Sequence, residues 1–361
     1  MTEFGRFFLP GPVEIHPEVL GALQRPMISP WSDEARALLN GLQPGLQRLF
    51  RTAQPVLLTA STSTGLLEAV IRSAVPRRGL AVCAGFFGDR LAETLAVCGR
   101  EVVRLHVQPG RTLEREHLEH FLGGPPVDAV LLVHSETSTG ALAPLPELAR
   151  VIRERTDALI VVDAVSSIGA VPVETDAWGL DFVFTGSQKA LALPPGLGLG
   201  VASDRLLRRA AAVPGRGWYL DLLAYERAAR TAQPLQTPAL SHLYALECQL
   251  ERIEREGGVE ARWRRHAEML ALVEEWVSGA AGFELLAVSG RRSPAVSALV
   301  PPPGLAVVEI LRGMRARGFT LAGGLGPLTE RVLRIGHMGD ATPRALATML
   351  AVLGEVVAGP M

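Results

Sequence analysis

The stretch "DFVFTGSQKALALPPG", Asp181–Gly196, runs from an apolar, β-branched segment into a polar turn and holds Lys189. Lys189 is the only lysine among 361 residues; of the 36 lysines and arginines, the other 35 are arginine. At an ordinary surface position either cation serves, so a drift toward arginine runs unopposed there. A guanidinium cannot lose its proton and attack a carbonyl carbon, whereas a primary amine can. A lysine kept in such a chain either survived by chance in an ion pair or does imine chemistry.

Working outward, "ALIVVDA" places Asp163 at the end of another apolar run, 26 residues before Lys189. Five further runs have the same character: "PVLLTA", "LAVCAG", "EVVRLHV", "DAVLLVHS" and "GLGVAS". Amphipathic stretches lie between most of them, at Gly65–Ser73, Asp89–Cys98, Glu114–Phe121 and Pro146–Arg155. This alternation from about residue 55 to 202 predicts an α/β fold with a mostly parallel sheet covered on both faces. Ligands collect at the carboxyl ends of such strands. Asp163 and Lys189 therefore reach one sheet edge together. A carboxylate for a pyridinium nitrogen and an amine for an aldehyde are what pyridoxal phosphate requires of a protein; a strand-end turn is the structural alternative for Asp163. "LLTASTSTGLLEA" reads as a strand, a polar turn and a helix. Thr62, Ser63 and Thr64 at its bend suit a phosphate or ordinary helix capping.

Beyond Pro238 the pattern changes to two long helices, His242–Glu256 and Ala261–Val277. A smaller mixed region follows: "FELLAV", "AVSALVPP", a helix Leu305–Arg317, "FTLAGG", "RVLRIGHMG" and a helix Thr342–Val357. The expected organisation is an arm at 1–20, a large domain at 21–250 and a smaller α+β domain at 251–361.

Composition excludes several classes. A formal net charge of −1 gives no basic face for nucleic acid. Arg262, Arg264 and Arg265 sit among acids at helical spacing and read as a solvated helix face. No apolar run approaches the length of a membrane span, and the start has no signal-peptide pattern. Cys83, Cys98 and Cys248 lack metal or redox spacing and read as small buried hydrophobes of a reducing cytoplasm, and no metal is expected. His117 and His120 have no evident third ligand. "PGLGLG" leads into a strand rather than a helix, so it is a turn, not a dinucleotide fingerprint.

With "LPGPVEIHPEV", "GFFGDR", "HSETSTGAL", "VVDAVSSIGA", "TGSQKALALPPGLG", "LQTPALSHLYAL" and "LRIGHMG" in order along nearly its whole length, the chain resembles the class V pyridoxal-phosphate aminotransferases of fold type I. Alanine–glyoxylate, serine–glyoxylate and serine–pyruvate transaminases are the nearest group. The resemblance implies that Lys189 bonds the cofactor as an imine and that Asp163 pairs with its ring nitrogen. It implies that Thr62, Ser63, Thr64 and Gln188 hold the phosphate, Thr137 lies near the ring hydroxyl and Phe87 stacks on the ring. Arg334 would take the substrate carboxylate, for which a guanidinium is suited, and Gly11 would lie near the substrate. Thr237 would reach the phosphate of a neighbouring subunit, which implies a homodimer with shared sites. His134 is expected to orient groups at its strand end. His337 either lines the site or ends a strand.

The chain also departs from that pattern. Ser63 replaces a frequent glycine and Pro234 a frequent tyrosine. Pro30, Trp31 and Ser32 stand where relatives carry "HRS", and Ser135 replaces asparagine. These bear on the substrate more than on the cofactor. The expected activity moves an amino group from alanine or serine to glyoxylate or pyruvate. The rivals are a cysteine desulfurase of the same fold and a non-catalytic cofactor-binding module.

Overall fold

A computed structural model describes residues 4–280 and 282–359; the first three residues of the expected arm lie outside them. All seven expected runs of the large domain form one seven-stranded sheet. Across the sheet the order is Leu57–Thr59, Gly198–Ala202, Phe182–Gly186, Leu159–Asp163, Ala129–Val133, Arg78–Cys83 and Glu101–His106. Gly198–Ala202 is antiparallel to both neighbours, and the other pairings are parallel. The turn Ser187–Leu197 that carries Lys189 causes this exception, because it holds no helix to make the crossover that a parallel return needs.

Strand alternation splits the core into two faces. Leu80, Val82, Ile160 and Val162 pack with Leu42, Leu46 and Leu49 of the helix Asp33–Phe50 and with the helices Leu145–Arg155 and Leu240–Arg255. Ala81, Cys83, Leu159 and Val161 face the other way, onto the helices Ser63–Ala74, Phe86–Val97 and Asp204–Ala211. The helix Asp33–Phe50 has no counterpart among the stretches singled out by pattern. It contains Gly41, Pro44 and Gly45, yet it buries Leu38, Leu42, Leu46 and Leu49 along one side. Ser32 Oγ starts it by accepting from Ala35 N–H at 3.3 Å. Burial of that stripe outweighs the poor local propensity.

A four-stranded antiparallel sheet, Glu284–Leu285, Val296–Val300, Leu333–Gly336 and Ala322–Gly323, forms the smaller region. The helices Val259–Gly279, Val307–Ala316 and Pro343–Ala358 supply its core with Met269, Ile310 and Leu353. The N-terminal segment joins this sheet: Phe8 N–H donates to Thr320 O and Gly336 N–H to Phe8 O, both at 2.8 Å.

The arginine cluster of helix Val259–Gly279 corrects the sequence reading. Arg264 is exposed, but Arg262 is fully buried. Its guanidinium donates to Asp340 at 2.7 Å and to both oxygens of Glu256 at 3.0 Å, and reaches Ala190 O at 3.4 Å. Arg265 donates to Glu256 and to Gly339 O, each at 2.8 Å. A buried charge is tolerated when paired, and Asp340 comes from a turn too far along the chain for helical spacing to reveal.

Candidate active site

Because the strands Leu57–Thr59, Arg78–Cys83, Ala129–Val133, Leu159–Asp163 and Phe182–Gly186 run the same way, their following residues meet at one edge. After Glu101–His106 the chain doubles back to Ala129–Val133, on the other side of Arg78–Cys83. Such a reversal opens a crevice at the strand ends. A cavity of about 320 Å³ lies there, within the usual range for small-molecule sites. Gly11, Thr62, Ser63, Thr64, Phe87, Thr137, Asp163, Gln188 and Lys189 all line it. Nine of the residues singled out by sequence thus come together around one space.

Lys189 is 9% exposed, and its ammonium donates to Pro10 O. Gly11 makes this approach possible: a Cβ there would stand 2.5 Å from Lys189 Nζ, and its φ of +119° suits glycine. Burial chiefly, and then the charge of Arg334, push the Lys189 ammonium down to about 8, while Asp163 and Glu136 oppose the shift. Burial drives Asp163 the other way, up to about 6, against a 2.9 Å hydrogen bond from Val165 N–H to Oδ1. Both groups are thereby drawn toward neutrality, the state in which a lysine attacks carbonyl carbon.

Glu136 is a buried carboxylate to which sequence reasoning gave no role. It accepts from Gly88 N–H at 3.0 Å, Phe87 N–H at 3.4 Å, and Ser138 N–H and Oγ at 3.1 and 2.5 Å. It sits against the first turn of the helix Phe86–Val97, where a negative charge faces free N–H donors. Burial raises its pKa despite these bonds. The signal for it was its place between His134 and Thr137 at a strand end. Arg334 lies close behind: Nε donates to Gly323 O at 2.7 Å and Nη1 to Thr137 O at 3.4 Å. Burial lowers its pKa and Glu136 supports its charge.

Thr137 Oγ1 bonds Ser166 Oγ at 2.7 Å, and Ser135 Oγ bonds Ser293 Oγ at 2.7 Å. The Ser135 contact ties the sheet edge to the segment leading into Val296–Val300. His134 is buried edge-on against Trp178, with burial pushing it down to about 4. His337 is fully buried, directly follows the strand Leu333–Gly336 and bonds Ser297 Oγ at 2.8 Å across the smaller sheet, so of its two expected places it takes the strand end and does not line the cavity. Thr237 is apart from the cavity and lines a separate apolar pocket with Thr59, Tyr225 and Gln236. Trp31 is 61% exposed.

The residues present fit a phosphate-bearing aldehyde with a ring nitrogen. Thr62 opens the helix Ser63–Ala74 without a capping bond from its own side chain. Gln188 Oε1 is buried with no partner among the described residues. The helix start suits an anion, the Lys189 amine the aldehyde and the Asp163 carboxylate a ring N–H.

Comparison with known proteins agrees with this chemistry. Residues 88–303 match the family described as Aminotransferase class-V. The chain is 33% identical to the soluble hydrogenase small subunit of a Synechococcus strain, over 99% of this chain and 94% of that one. It is 29% identical to the alanine–glyoxylate aminotransferase of Mus musculus, over 96% and 86%. The crystal structure of a subgroup IV aspartate aminotransferase from Thermus thermophilus superposes with a TM-score of 0.90 at 33% identity, covering 98% of this chain and 99% of that one.

Proposed function

The chain belongs to the class-V aminotransferases and its cofactor is pyridoxal 5′-phosphate; from that premise we propose that it moves the amino group of alanine or serine to glyoxylate or pyruvate. The observation that carries this reading is a buried amine and a buried carboxylate at neighbouring strand ends, with the Arg334 guanidinium, held on Thr137 O outside the cavity lining, near enough to lower the Lys189 pKa.

When bound, the cofactor supplies an aldehyde carbon that links to amines and a ring that draws electrons from the substrate α-carbon. Asp163 would accept the ring N–H and favour the proton on that nitrogen. Lys189 would hold the aldehyde carbon, and its Nζ, when neutral, is the group placed to carry a proton at the substrate α-carbon. Thr62, Ser63, Thr64 and Gln188 would hold the phosphate. Thr137 would serve the ring hydroxyl and Phe87 one ring face. Arg334 grips the substrate carboxylate through paired N–H donors. Gly11 leaves the space beside Nζ free. A cavity of about 320 Å³, shared with the cofactor, supports a small substrate.

Thr237, apart from its own protomer's cavity, reaches the phosphate of a second copy in a homodimer. The arm at 1–20 works with the small domain at 251–361, and residues 21–250 carry the cofactor. The chain's proposed place is the cytoplasm; among the described residues no helix is long and apolar enough to cross a membrane. The desulfurase reading finds no cysteine on the cavity: Cys248 lies within the helix Leu240–Arg255, Cys98 caps the end of the helix Phe86–Val97, and Cys83 is buried at a strand end.

Lys189→Ala should abolish both the visible absorption of the lysine-bound cofactor and turnover of alanine or serine with glyoxylate or pyruvate. A fully active variant overturns the assignment. A wild-type protein that binds the aldehyde yet shifts its spectrum with no amino acid is a binding module instead.

A further inference from the structure

At the end of the strand Arg78–Cys83 the fold assembles a second constellation, which amino transfer does not use. Cys83 and His106 are register partners on adjacent parallel strands, so both side chains leave the same face of the sheet. The helix Phe86–Val97 lies on that face, where Cys83 packs with Leu91 and Leu95. Gly88 lets the helix descend: a Cβ there would stand 2.5 Å from Val82 O and 2.9 Å from Cys83 Cα. Asp89, in the helix's first turn, is thereby held over Cys83. One donor atom from each of Cys83, Asp89 and His106 lies within 4.8 Å of the others. The thiol is buried and His106 is exposed, so the cluster has a floor and an open side. None of the three lines the cofactor cavity.

Sulfur, imidazole nitrogen and one carboxylate oxygen form a mixed donor set for a borderline cation of the zinc type, not for magnesium or calcium, which require oxygens. Zinc bonds of about 2.0–2.3 Å place tetrahedral ligand atoms about 3.3–3.8 Å apart, so about 1 Å of side-chain closure completes the set. A thiolate and a carboxylate match the charge of a divalent ion. On binding, the Cys83 thiol releases its proton to solvent and its sulfur pair bonds the metal. Without metal the thiol donates weakly to Gly88 O at 3.7 Å and Ala81 O at 3.6 Å. Arg104 is the competing cation. It stands beside the thiol, two residues before His106 on the same strand face, and being exposed it can swing into solvent.

We propose that Cys83, Asp89 and His106 form a three-ligand site for a zinc-type divalent cation, with a fourth position open to solvent. Such an ion pins the helix bearing Phe87 to the two strand ends beneath it.

The test titrates the holoenzyme with cobalt(II), followed by displacement with zinc(II). The expected result is one ion per chain, with the visible bands of tetrahedral cobalt and a sulfur-to-cobalt charge-transfer band. Cys83→Ala should remove the charge-transfer band. His106→Ala, at an exposed position that does not threaten folding, should weaken binding at least tenfold. Both variants should retain wild-type amino transfer in chelator-treated buffer. Absence of the thiolate band in the wild type overturns the proposal. So does wild-type affinity in His106→Ala, or cobalt bands that survive both substitutions, which would place the ion on the cofactor.

Discussion

In cofactor-free protein, the rate at which Lys189 captures pyridoxal phosphate should rise with pH and level off near 8. Only the neutral amine attacks a carbonyl carbon. Burial first, and Arg334 second, lower the Lys189 ammonium from 10.5 to about 8. That displacement represents about 3 kcal/mol against the charged form. At pH 7 about one chain in ten then carries the reactive amine, against about one in 3,000 for an unperturbed lysine. The sign for stability follows from the same shift. The folded pKa lies below the unfolded one, so the cost of the buried charge is present in full below about 8. It fades as pH climbs from 8 toward 10.5, and the cofactor-free fold gains up to about 3 kcal/mol across that window. Stopped-flow mixing from about pH 6 to about pH 10 reads the rate as growth of the bound-cofactor absorbance, with Lys189→Arg as the blank. The expected profile climbs tenfold per unit and then flattens. In Arg334→Gln, which lacks one depressing charge, the flat region should begin at higher pH. A wild-type rate still climbing at pH 10 would refute the account of this amine.

Four further substitutions probe the surroundings. Arg334→Ala should raise KM for carboxylate substrates by the equivalent of about 1.5–3 kcal/mol with a smaller change in kcat, and an unchanged KM removes Arg334 from the site. Glu136→Gln should cost about 1–3 kcal/mol in urea denaturation, because Phe87 and Gly88 lose an anionic acceptor; its loss should also move the Lys189 rate plateau to lower pH. Arg262→Met should destabilise by about 3–5 kcal/mol by removing the guanidinium 2.7 Å from buried Asp340, while Glu256 keeps its pairing with Arg265 at 2.8 Å. Adding Asp340→Leu should recover part of that loss, and no recovery would show that the pair does not act as a unit.

Much of the fold was written locally. Each of the seven strands of the large sheet is an apolar run whose period and turn residues are its own. The ends of those runs placed Thr62, Asp163 and Lys189 at one edge before any contact was known. The scarcity of lysine singled out one amine, because a guanidinium cannot replace it chemically. The helix Asp33–Phe50 was not legible, since its glycines and Pro44 obscure a stripe that only burial against the sheet rewards.

What tertiary structure alone decided is where charge and donors from distant segments meet. Glu136 shows its purpose only when the first turn of Phe86–Val97 lands on it. Arg262 reads as solvated until Asp340 arrives from the turn after Leu333–Gly336. Cys83 and His106 have no metal spacing in sequence, yet strand register makes them neighbours. Local pattern reports which face a residue presents, because that depends on a backbone period of a few residues. The pairing of one face with another is fixed by packing between segments, and that determines which buried charge finds a partner and which pKa moves.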